Sequence, residues 1–171
     1  MTKLALFFTF CISINCSCYG QTKAYSEKYI YKLFKKSVLQ TDKGKIKIPS
    51  NPWLICNQDS SFYRNDTVRL FSNSYYTNSV NCCECIGWTF YEKDKFISTN
   101  FEFCKEPTTA SAFKDKDHFR VLVSSADNYL LLSTFNNDKL IETFKIINVE
   151  YVRLSTSDLT STVVTLLRVA K

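Results

Sequence analysis

The apolar positions along the chain fall into two periods. Between Lys23 and Gln40, Tyr25, Tyr29, Ile30, Leu33, Phe34 and Val38 recur at spacings of four, one, three, one and four with lysines between them. That spacing predicts one amphipathic helix. Gly44, Pro49 and Pro52 then interrupt it, and beyond Pro52 the pattern changes to period two. Strands are expected near 53–57, 67–72, 83–91, 96–104, 119–124, 129–135, 139–147, 149–155 and 163–169, separated by turns rich in Asp, Asn, Ser and Lys. Eight or nine short antiparallel strands imply a mainly β domain, a barrel or a sandwich. The stretch 105–117, with Pro107 and alternating Lys and Asp, reads as a long surface loop.

Two hairpins invite a register. A turn at Lys93-Asp94 sets Phe90 against Ile97, Trp88 against Thr99, Ile86 against Phe101 and Cys83 against Cys104. A turn at Asn137-Asp138 sets Phe135 against Leu140, Leu131 against Phe144 and Tyr129 against Ile146. Each hairpin then has one apolar, aromatic-rich face, expected to point inward. The expected cavity-facing set is Trp88, Phe90, Ile97, Phe101, Leu131, Phe135, Leu140 and Phe144, with Ile86 beside them. In a small barrel such residues are more often core than cavity wall.

The first twenty residues follow another grammar. Lys3 precedes an apolar run from Leu4 to Ile14, and Ser17, Cys18, Tyr19 and Gly20 follow. This is the order of a cleaved secretory signal, with the cut expected after Gly20, and the apolar run is too short to span a bilayer. Cys16 or Cys18 as a lipid-attachment residue is the rival reading, disfavoured because neither sits in a good lipobox. The expected organisation is therefore a signal at 1–20, a helix and linker at 21–50, and a β-barrel domain at 51–171. The mature protein is expected to be secreted or periplasmic, without a transmembrane segment.

Cleavage changes the cysteine count. Of eight cysteines, five remain: Cys56, Cys82, Cys83, Cys85 and Cys104. In an oxidising compartment they would pair and leave one over, with Cys83–Cys104 the leading bridge and Cys56 joined to one of the remaining two. The alternatives are a zinc site on Cys82, Cys83, Cys85 and Cys104, and a free or redox-active thiol. Neighbouring strand residues point to opposite faces, which disfavours the metal.

Charge and composition exclude more than they identify. Removing Lys3 leaves 21 basic and 16 acidic residues, a net charge of +5. The lysines are scattered, so no nucleic-acid surface is expected. Three glycines in the chain leave no phosphate-cradling loop. His118 is the only histidine and follows a charged turn, where a solvated role is the ordinary one. The carboxylate pairs Glu102 with Glu106 and Glu142 with Glu150 are read as solvated rather than catalytic. No catalytic residue, metal or cofactor is expected. Asn65-Asp66-Thr67 is a glycosylation sequon of consequence only in a eukaryotic source.

The tail from Tyr129 through Glu150, followed by Tyr151-Val-Arg-Leu and Thr165-Leu-Leu-Arg-Val, resembles the closing meander of bacterial lipocalin-like domain proteins. Asn51-Pro52-Trp53 stands where that family carries glycine, any residue and tryptophan, although the glycine is missing here. The resemblance implies an up-and-down barrel and a barrel-closing pair in which Arg168 packs on Trp53. It also implies an exported, non-enzymatic binding protein for a small hydrophobic ligand. The alternative is a structural or protein-interaction domain with a solid core, contacting an extracytoplasmic protein through Tyr75, Tyr76 and Tyr91.

Overall fold

The computed structural model describes residues 25–38, 51–72, 82–112, 116–153 and 160–169. The signal segment, Tyr75 and Tyr76 lie outside the described residues. Helix α1 spans Glu27–Ser37, and a short helix α2 spans Ser61–Arg64 after a 3-10 turn at Gln58–Ser60. The strands are β1 (Trp53–Cys56), β2 (Thr67–Phe71), β3 (Glu84–Phe90), β4 (Lys95–Glu102), β5 (Thr109–Ser111), β6 (His118–Ala126), β7 (Tyr129–Asn136), β8 (Lys139–Arg153) and β9 (Thr160–Arg168).

All pairings are antiparallel, and eight strands close into a barrel in the order β3-β1-β2-β9-β8-β7-β6-β4, with β4 returning to β3. Strand β5 lies outside, on the edge of β4. From β3 to β9 the barrel strands run as an up-and-down meander. At the front, β1 sits between β2 and β3, so the barrel closes through β2 and β9 rather than through β1. Strand β8 unites two expected strands, with Ile147 as an extra residue between Ile146 and Asn148 where the ladder to β9 shifts. That is a bulge, which bends a strand without ending it.

Both expected registers are off by one residue over most of their length. In the first hairpin the turn holds five residues, Tyr91 to Lys95, so Phe90 faces Phe96, Trp88 faces Ser98 and Cys85 faces Phe101. In the second, Phe135 does face Leu140, but the ladder then shifts and Leu132 faces Phe144 while Leu131 faces Lys145. A one-residue slip sends a whole strand face to the other side. Trp88, Phe90, Phe144 and Ile86 keep the expected inward face and lie in the barrel core, whereas Ile97, Phe101, Leu131, Phe135 and Leu140 do not belong to that core.

Helix α1 closes one end of the barrel. Ser26 caps it by accepting from the Tyr29 N–H at 3.2 Å. Its buried face of Ile30, Leu33 and Phe34 joins the same core cluster as Trp53, Trp88, Phe90, Phe96, Leu132 and Phe144. Phe34 stacks on Phe90 with centroids 4.4 Å apart and meets Trp53 edge-on at 5.5 Å. The polar edge of the helix replaces missing strand partners. Strand β6 pairs with β4 only through His118, Phe119 and Arg120, and beyond that point the Val123 N–H donates to Tyr31 Oη at 2.9 Å and the Ser125 N–H to the Glu27 carboxylate at 2.8 Å. Strand β8 outruns β7 after Ile146. There Tyr25 Oη accepts from the Val149 N–H at 3.1 Å and donates to the Val149 carbonyl at 2.9 Å. Unpaired backbone at two sheet edges is satisfied by α1 and by Tyr25 just before it.

Candidate functional site

The barrel interior is occupied by the chain's own side chains. The core cluster runs from Ile30 and Phe34 on the helix through Trp53, Phe90 and Phe96 to Phe144 and Leu166, each at most 2% exposed. Barrels of eight strands are just wide enough for side chains to fill, and here a helix supplies part of the filling. The expected cavity residues Trp88, Phe90 and Phe144 are thus packing residues.

Arg168 does not reach Trp53. The strand directions put Trp53 at the helix end of the barrel and Arg168 at the other, because β9 meets β2 at Thr67 and β2 meets β1 at Phe71. Trp53 instead donates its indole N–H to Ser37 Oγ at 3.0 Å. Arg168 stands over the rings of Phe62 and Phe144, 5.3 and 5.1 Å from their centroids, donates to the Phe62 carbonyl at 2.6 Å, and ion-pairs with Glu142. Both charged side chains are 19% exposed. The expected Trp53–Arg168 pair is thus absent, and Arg168 packs on Phe62 of α2 and on Phe144 at the opposite end of the barrel.

The residues that left the interior gather outside. On the outer face of β6–β9 the register sets Arg120 beside Phe135 and Leu140, Leu122 beside Ser133 and Thr143, and Leu131 beside Lys145 and Leu167. Leu122 is 44% exposed, Leu140 52% and Val169 43%. Cations partly shield the aromatics there: the Arg120 guanidinium lies 5.1 Å from the Phe135 centroid and Lys145 Nζ 4.2 Å from that of Tyr129. On this face the apolar residues alternate with Arg120, Ser133, Thr143 and Lys145 across four strands, the mixed apolar and polar composition of a non-obligate protein contact surface. Sequence reasoning named three of its members, Leu131, Phe135 and Leu140, and placed them on the wrong side. Tyr91, an expected contact residue, lies elsewhere, half-buried and edge-on to His118 at 5.9 Å.

A second, smaller apolar cluster covers the outer face of β1, β3 and β4. Leu54, Cys82 and Cys85 are buried there under Cys56, Phe101 and Phe103. Gly87 is required at its centre, since a Cβ would lie 2.3 Å from the Phe101 ring and 3.2 Å from Pro52. Disulfides staple the margin. Cys83 joins Cys104 with Cα atoms 5.1 Å apart, and Cys56 joins Cys82 at 5.9 Å. The first pairing is as expected, although the residues are offset by one rather than directly opposed: Glu84 faces Glu102, and the Phe103 N–H donates to the Cys83 carbonyl. Among the described residues Cys85 is the free thiol, 2% exposed, and burial pushes its pKa up to about 11. Three of the four thiols considered for zinc are thus consumed in disulfides.

Among the described residues, two surface clefts bear on the site. One, of about 250 Å³, lies where β1 meets β2 through the single pair Leu54 and Phe71, and is lined by Ile55, Cys56, Ser61, Phe62 and Val68 among others. The other, of about 280 Å³, is bounded by Lys95, His118, Phe119, Arg120, Phe135 and Asp138. Its cations have partners, Arg120 with Asp138 at 3.3 Å and Lys95 with Glu92 at 3.0 Å. Glu142 and Glu150 do not act together either: Glu142 pairs with Arg168 and Glu150 with Arg69 on the outer face. Among the described residues no helix is long and apolar enough to cross a membrane. Compared with family models, curated proteins and solved structures, the chain matches none.

Proposed function

We propose that the mature chain is an exported, non-catalytic protein-binding domain, with the barrel as a solid scaffold and the outer face of β6–β9 as its contact surface. The observation that carries this reading is the helix α1 side chains inside the barrel, where a carrier would hold its ligand. Among the described residues, the rival reading, a lipocalin-like carrier of a small apolar molecule, would draw on surface clefts such as those of about 250 and 280 Å³. Ligand pockets occupy about 300–1,000 Å³ and enclose most of the ligand. Export is supported by the N-terminal signal pattern and by two disulfides, which suit an oxidising compartment. The partner is a protein with an apolar patch and an acidic group beside it, because Lys145 stands between Leu131 and Leu167 on this face.

Site-specific photo-crosslinking in the cells that export the protein tests this. A photoreactive residue at Leu140 should capture one discrete protein, and Leu122→Asp in the same chain should abolish the adduct. A probe at Thr109 on β5 should capture nothing. No adduct from Leu140, or the same adduct from both faces, would overturn the proposal.

A further inference from the structure

Three sulfurs meet at the edge of the outer cluster. Cys85 on β3 stands directly opposite Cys56 on β1 in the strand register, and Cys56 is bonded to Cys82. The Cys85 thiol points at the disulfide, with Sγ 3.6 Å from Cys82 Sγ. That separation is close to the distance at which a bound nucleophile is poised to react. Cys82 and Cys85 also have the C-x-x-C spacing of chains in which two cysteines bond to each other. Cys56, at the other end of the bond, is only half-buried and lines the cleft beside β2 with Ser61 and Phe62.

We propose that Cys85, Cys82 and Cys56 form a thiol–disulfide relay that exposes a reactive thiol at Cys56. The Cys85 sulfur, having lost its proton to solvent, attacks Cys82 Sγ. The Cys82–Cys85 bond forms, the Cys56–Cys82 bond breaks, and the departing Cys56 thiolate takes up a proton from water. The chain keeps one disulfide and one thiol in this cluster, so no oxidant or reductant is consumed. The buried thiol is exchanged for one in the cleft, where it is open to modification or to a mixed disulfide with a thiol-bearing partner. Cys83–Cys104 takes no part and holds the end of β3 during the exchange.

Burial of Cys85 sets the rate. Only the thiolate attacks, and with its pKa raised to about 11 the thiol is almost wholly protonated at neutral pH. Exchange should therefore accelerate close to tenfold per pH unit up to that value. The relay is independent of the contact face proposed above.

Linkage mapping of the exported protein tests it. The protein is held at pH 7, 8, 9 and 10 with a maleimide, quenched in acid, and digested without reduction. Cleavage at Arg64 and Arg69 separates the Cys56 peptide from the one carrying Cys82 and Cys85. The expected result is label on Cys56, an internal Cys82–Cys85 bridge, and a labelled fraction that climbs with pH, while Cys85→Ser leaves Cys56 unlabelled. Persistence of Cys56–Cys82 with label on Cys85 alone would overturn the relay, as would release of Cys82 instead of Cys56. If Cys85→Ser does not fold, the wild-type linkage map still decides between these outcomes.

Discussion

Arg168 shows how far a single residue can be read from sequence. An arginine near the end of the last strand is legible as a closing group, but its partners depend on which end of the barrel it reaches, and that is a property of strand order. Its contacts with Phe62, Phe144 and Glu142 make a specific energetic claim. Arg168→Ala should cost roughly 2–4 kcal/mol in urea denaturation, because it leaves Glu142 largely buried without its cation and strips the Phe62 carbonyl of a charged donor. A double-mutant cycle of Arg168→Ala with Phe62→Leu should show coupling of about 0.5–2 kcal/mol. The cycle with Trp53→Phe should show almost none, and strong Trp53 coupling would restore the arrangement implied by the family resemblance. Gly87 makes a second claim. Gly87→Ala should destabilise by roughly 1–3 kcal/mol through overpacking against Phe101, and Phe101→Ala in the same chain should recover much of that loss. Cys85 makes a third, with a definite sign. Its folded pKa of about 11 lies above the ordinary thiol value of 9.0, so between these values the folded chain keeps a proton that the unfolded chain has lost. The stabilisation is full below pH 9 and declines as pH rises toward 11, by at most roughly 1 kcal/mol per pH unit. Short-time unfolding measurements should find this decline in the native chain and a flatter profile in Cys85→Ala.

At the scale of elements, the helix and the barrel strands are legible because their periods differ, and every barrel strand lies within a few residues of its expected place. What could not be read is register. Phe96-Ile97 and the run Leu130-Leu131-Leu132 put apolar residues on both faces, so alternation does not say which neighbour points inward. The five-residue turn at Tyr91–Lys95 and the shift near Phe135 decide the matter through backbone geometry. Strand β5 and helix α2, at three and four residues, carry too little pattern to find. The role of α1 as a substitute strand edge was equally hidden, since it depends on where β4 and β7 stop. It has a direct consequence. Tyr31→Phe removes the acceptor for the Val123 N–H and should cost about 1–3 kcal/mol, with faster amide exchange at Val123. Phe34→Ala, which empties the helix's contact with Phe90 and Trp53, should cost about 3–5 kcal/mol. Stability losses well below these ranges would mean that the helix is not part of the barrel's core.

For the whole molecule, a closed antiparallel barrel is legible from strand number and spacing, whereas the exchange of β1 and β2 is not, because the long connections at 57–66 and 72–83 permit more than one neighbour. The expected inward set was read in part: Trp88, Phe90 and Phe144 do lie in the barrel core, whereas Leu131, Phe135 and Leu140 lie outside it, with the β7–β8 ladder shifting between Thr134 and Phe135. In the proposed function this changes the barrel's role from enclosing a ligand to presenting a surface. Native mass spectrometry of the exported protein, followed by solvent extraction, tests the change most directly. A packed barrel should give the polypeptide mass alone, with an empty extract in repeated preparations. A stoichiometric apolar molecule that co-purifies and is lost on unfolding would contradict it.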